Sequence, residues 1–118
     1  MRITKTSTFT ADIYVGMIPG YNDNSVSYYE ANDKVTFICQ KYCDAIGLGV
    51  TIQFVDFVYT GGMEHGFKIG LINYPRFPST PYVITDHAIT LAKILKHALK
   101  QERVTIITST DTIMLGEM

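Results

Sequence analysis

Val50-Thr51-Ile52-Gln53-Phe54-Val55-Asp56-Phe57-Val58-Tyr59-Thr60, running into Gly61-Gly62-Met63-Glu64-His65-Gly66 and Phe67-Lys68-Ile69-Gly70-Leu71-Ile72, decides the fold. β-Branched and aromatic residues crowd the first part and alternate, as they do in half-buried strands. Val50, Ile52 and Phe54 share one face, and Thr51, Gln53, Val55, Phe57 and Tyr59 the other. Asp56 falls on the buried side, which predicts a bulge near Val55-Asp56. The glycine-rich stretch from Gly61 to Gly66 predicts a hairpin connection. Phe67, Ile69 and Leu71 then continue a strand inward, with Lys68, Gly70, Ile72 and Tyr74 outward, until Pro75 and Pro78 end it.

Upstream, Val35, Ile38, Cys39, Tyr42, Cys43 and Ile46 recur at helical spacing, with Asp33, Lys34, Gln40, Lys41 and Asp44 on the other side. Ser27-Tyr28-Tyr29-Glu30 has the spacing of a capping box, Asn32 is an equally good N-cap, and Gly47 suits a left-handed C-cap. Before that helix, Phe9, Ala11, Ile13, Val15 and Met17 alternate with Thr10, Asp12 and Tyr14 as a strand, and Ile18 to Asn24 is dense turn chemistry. Downstream, Thr80 and Pro81 fit a helix start, with Thr85-Asp86 as a later alternative, and Ile84, Ala88, Leu91, Leu95 and Ala98 hold helical spacing. Lys93, Lys96, His97, Lys100 and Arg103 gather at its C-terminal end, where positive charge complements the helix dipole. Val104 to Leu115 is strand-like but broken by Thr108-Ser109-Thr110-Asp111, which admits one strand with a short return strand.

The order is β-α-β-β-α-β. Right-handed crossovers put both helices on one face of the sheet. The expectation is an α+β, ferredoxin-like sandwich: two helices on one face of a four-stranded, mostly antiparallel sheet. A chain of 118 residues holds one domain, 1–118, with 1–7 as a flexible arm.

Composition narrows the function classes. The net charge of −1 argues against nucleic acids or membranes bound through bulk electrostatics. Charged residues at 18% leave much surface to neutral groups. No apolar run reaches the roughly 20 residues that span a bilayer. The polar N-terminus lacks a signal-peptide core, and two thiols four residues apart in a helix suit a reducing compartment, so the chain reads as cytoplasmic.

The face of the sheet turned away from the helices carries Tyr14, Val55, Phe57, Tyr59, Ile72, Tyr74 and Ile107. A solvated face should turn polar there. This predicts a homo-oligomer that buries it. Stacking of nucleobases on those aromatics is disfavoured, since basic flanks and the RNA-recognition consensus are missing.

No residue pattern rises to a catalytic or metal motif, and no cofactor is expected. Cys39 and Cys43 lie on the apolar stripe as small hydrophobes. Asp86-His87 marks the exposed first turns of a helix, Glu64-His65 a hairpin tip, and His97 a solvated face. Asn73-Tyr74-Pro75-Arg76-Phe77-Pro78 is the most individual stretch, where Arg76 between aromatics suits a carboxylate or phosphate, or an interface. Tyr21 sits in a connection long enough for recognition. The candidate binding or interface residues are Tyr14, Phe57, Tyr59, Tyr74, Arg76 and Tyr21.

The order of elements, with a long second strand, a hairpin and a following helix, resembles small ferredoxin-like proteins such as the CutA and PII-like trimers. The PII nucleotide-binding signatures are absent, so the resemblance lends no functional residue. The chain also resembles small uncharacterised bacteriophage proteins. The expected function is a non-enzymatic interaction or regulatory protein, working as a homo-oligomer through its aromatic sheet face. The alternative is a binder of a small anionic ligand, a nucleotide or metabolite, at a subunit interface near Arg76, Tyr74 and Tyr21. Its partners are then itself, another protein or that ligand. An enzyme using Asp86 and His87 ranks third.

Overall fold

The elements run β1 (Thr10–Gly16), α1 (Tyr28–Ile46), β2 (Thr51–Tyr59), β3 (Gly62–Ile72), α2 (Pro81–Ala98), β4 (Arg103–Thr108) and β5 (Thr112–Gly116). The computed structural model describes residues 1–17 and 27–116. The sheet order is β2-β3-β1-β4-β5, and every neighbouring pair is antiparallel. The four-stranded sandwich expected from the sequence is therefore corrected to five strands. The cause is local. After β4, Thr108 Oγ1 accepts from the backbone N–H groups of Thr110 at 3.2 Å and Asp111 at 2.8 Å. That turn folds the chain back, and β5 pairs with β4 from Arg103↔Gly116 to Ile107↔Thr112.

Local chemistry sets the helices as well. The Ser27 side chain caps α1 by accepting from Glu30 N at 3.2 Å, and Gly47 closes it at φ +78° with its N–H on Cys43 O. Thr80 caps α2 in the same way through Val83 N, with Pro81 at the first helical position. α2 packs on β1, β3, β4 and α1. Between helices and sheet lie Ile13, Val15, Phe67, Ile69, Leu71, Leu91, Leu95 and Ile106, all fully buried, with Val35 and Cys39 from α1. Each such side chain contributes roughly 1.5–3 kcal/mol of transfer free energy.

The β2–β3 ribbon departs from the sequence reading twice. Its register runs without interruption from Thr51↔Gly70 to Tyr59↔Gly62, so no bulge interrupts Val55-Asp56. Asp56 instead sits opposite His65 and hydrogen-bonds to its Nδ1, both side chains about half exposed, so no buried carboxylate has to be relieved. The connection shrinks to Thr60-Gly61, with Gly61 supplying φ +84°, and Glu64 and His65 become strand residues rather than a loop tip.

Candidate functional site

Side chains on β3 alternate, and its open face reads Gly62, Glu64, Gly66, Lys68, Gly70. Three of these positions carry no side chain, so neighbours fold over them. A Cβ on Gly66 would strike the Phe57 ring and the Val15 carbonyl, and one on Gly70 would lie 2.7 Å from Thr51 Oγ1 and 3.1 Å from Asp12 Oδ1. A Cβ on Gly62 would lie 2.7 Å from the Tyr59 ring. The result is a shallow glycine-floored trough. Tyr14 and Phe57 meet edge to face across it, ring centroids 6.4 Å apart. Lys68 Nζ lies 3.9 Å from Asp12 Oδ2. Glu64, half-buried, reaches toward Gly16, where Gln101 also approaches. Aromatic walls, one carboxylate and an ammonium–carboxylate pair suit a ligand carrying charges of both signs and a flat ring.

A second concavity lies at the far end of β3. It is a cleft of about 650 Å³ between the α1–β2 connection and the β3–α2 connection, lined by Ile46, Gly47, Leu48, Gly49, Ile72, Tyr74, Phe77, Pro78, Ser79, Ile84 and His87. No lysine, arginine or carboxylate lines it. Its rim is stitched by Asn73, whose Oδ1 accepts from Ser79 N at 2.8 Å while its Nδ2 donates to Ser7 O at 2.8 Å.

The structure divides the residues singled out from sequence. Tyr14 and Phe57 come together, and Tyr59 stands at the hairpin end of the same face. Tyr74 does not join them, since it lies beyond β3 and lines the cleft. Arg76 is exposed, its guanidinium 5.4 Å from the Phe77 ring. Tyr21 lies outside the described residues. Of the Asp86-His87 pair, Asp86 is exposed, whereas His87 is half-buried with Nδ1 3.0 Å from Tyr42 Oη. Sequence reasoning passed over Asp12, Glu64 and Lys68 as site residues. The signal is the run of glycines at every fourth position, Gly62, Gly66 and Gly70, which keeps them on one face of a strand.

The cysteines are chemically quiet. Burial, and secondarily its neighbour Cys43, pushes the Cys39 thiol up to about 12, and burial followed by Asp44 raises Cys43. Among the described residues no group of three or more His, Cys, Asp and Glu could hold a metal ion. No described helix is long and apolar enough to cross a membrane.

No family model and no curated protein matches the sequence. Solved structures do match. A phage SAM lyase in complex with S-methyl-5′-thioadenosine superposes with a TM-score of 0.76 at 20% identity, covering 99% of this chain and 95% of that one. A phage SAM lyase in its apo state gives a TM-score of 0.66 at 18% identity, covering 92% and 89%. At this identity the likeness establishes the fold. Both of these structures are of a phage SAM lyase, and neither is a CutA or PII-like protein. The expectation of a non-enzymatic regulatory protein, with its ligand-binder alternative, is corrected on this finding.

Proposed function

We propose that this chain is a phage enzyme of the SAM-lyase type, which breaks a carbon–sulfur bond of S-adenosylmethionine and releases S-methyl-5′-thioadenosine. The observation carrying this reading is the superposition along nearly the whole of both chains on a lyase holding that thioether nucleoside.

The chemistry fits the open-face trough better than the end cleft. S-Adenosylmethionine is a sulfonium cation with an α-ammonium and an α-carboxylate, and the cleft offers no charged side chain to any of them. In the trough, Glu64 accepts from the α-ammonium group, and Lys68, four residues further along β3 and paired with Asp12, puts positive charge on the far half of the same face. The rings of Tyr14 and Phe57 pack against the methyl-bearing sulfur. Release of the thioether breaks the bond between sulfur and the aminobutyryl chain. The bonding pair returns to sulfur, whose positive charge disappears as the bond lengthens. Loss of water around the sulfonium disfavours the cation more than the charge-dispersed transition state, so it speeds departure. As that bond breaks, an oxygen of the substrate's own carboxylate bonds to the same carbon from the opposite side, so the aminobutyryl portion leaves as a lactone and no water is consumed.

The trough is open on one side, and Tyr59, Ile107 and Met114 are exposed around it. A second copy of the chain covers that face and excludes water from it. Light scattering tests this part, and a monomer at micromolar concentration contradicts it. For the reaction itself, the purified chain is incubated with S-adenosylmethionine and S-methyl-5′-thioadenosine is followed by mass spectrometry.

A further inference from the structure

The end cleft begins where the trough stops: Gly70 is the last floor position, and Ile72, the next residue on that face of β3, lines the cleft. We propose that this cleft is a second binding site, for an uncharged, flat heteroaromatic molecule that presents one hydrogen-bond acceptor to His87. Three observations converge on that chemistry.

The first is the lining. Leu48, Ile72 and Ile84 supply apolar surface, Tyr74 and Phe77 supply rings, and no lysine, arginine or carboxylate is present to compensate a charged guest. A volume of about 650 Å³ is in the range of small-molecule sites.

The second is an oriented polar relay. Tyr42 Oη lies 3.0 Å from His87 Nδ1. With the phenol, the stronger acid of the two, as donor to Nδ1, the ring proton sits on Nε2. Nε2 takes no partner among the described residues, and His87 lines the cleft. A single aimed donor in an apolar wall reads one acceptor on a guest.

The third is preorganisation. Asn73 is buried and ties the β3–α2 connection to Ser7 and Ser79. Phe77 N donates to Tyr74 O at 3.0 Å, closing the short turn that places both rings. A rim held this way loses little freedom when a guest enters.

The test uses the full chain and two probes of one shape, quinoline, which has a ring-nitrogen acceptor, and naphthalene, which has none. Amide spectra should show quinoline shifting Gly47, Gly49 and Ser79, with a dissociation constant roughly five-fold below that of naphthalene. His87→Phe should remove the difference between them. Equal affinities in the natural chain, or no shift at those amides, overturn the proposal. A nitrogen-15 spectrum of His87 in the unaltered chain decides the donor independently of any variant. A proton on Nε2 supports the relay, and a proton on Nδ1 overturns it.

Discussion

The two ends of β3 differ in what they leave uncovered. At the hairpin end, glycines alternate with Glu64 and Lys68, and aromatics from β1 and β2 lean over the gaps. At the other end the chain leaves the sheet through prolines and an asparagine brace, and it encloses a concavity without charged side chains. The cleft is thus the poorer match to the zwitterionic substrate proposed above. The shallower surface holds the matching charges.

The sharpest way to break this comparison is to remove charge at the hairpin end. Glu64→Gln keeps shape and hydrogen bonding but not the charge, so lyase turnover should fall about 100-fold while the melting temperature stays within a few degrees. Unchanged turnover in a mass-spectrometric assay would move the chemistry away from the trough. Gly66→Ala comes next. The added methyl meets the Phe57 ring and the Val15 carbonyl, and unfolding in urea should show a loss of about 2 kcal/mol. A neutral result would mean that the ring does not lie across the floor.

A third prediction concerns the covered side of the sheet. Burial holds the Cys39 thiol at about 12 against an ordinary value of 9.0. Between those values the unfolded chain releases a proton that the folded chain keeps. Stability is therefore full below pH 9 and declines as pH rises toward 12. Thermal melts from pH 8 to pH 10.5 should show that decline, and Cys39→Ala should flatten it. The smallest effect tests the fifth strand. Thr108→Val removes an acceptor that serves two backbone N–H groups, and chemical unfolding should show a loss of about 1 kcal/mol.

Much of the architecture was legible because it is written in periodicity and caps. The stripe Val35–Cys39, the Ser27 and Thr80 caps and the inward set Phe67, Ile69, Leu71 all stand where pattern puts them. The fifth strand is legible only as a short return strand after Thr108-Ser109-Thr110-Asp111, which the four-stranded expectation leaves out. Thr112 to Gly116 is five residues long, and its pairing depends on a side-chain acceptor at Thr108 that no alternation reveals. The trough was missed for a related reason. Glycine reads as a turn signal, yet Gly62, Gly66 and Gly70 are strand residues whose missing side chains leave room for neighbouring rings. The aromatic face was anticipated through Tyr14, Phe57 and Tyr59, but Tyr74 and Arg76 belong to the other end of the molecule. Function was the least legible part. The candidate site on the open face gathers cross-strand neighbours, and their spacing along the chain makes no motif.

The most direct test is a mass-spectrometric time course of S-adenosylmethionine with the purified chain, with an enzyme-free control for spontaneous breakdown. S-Methyl-5′-thioadenosine should form at a rate proportional to protein concentration, with no oxygen-18 taken up from labelled water during turnover. A rate indistinguishable from the control contradicts the lyase reading.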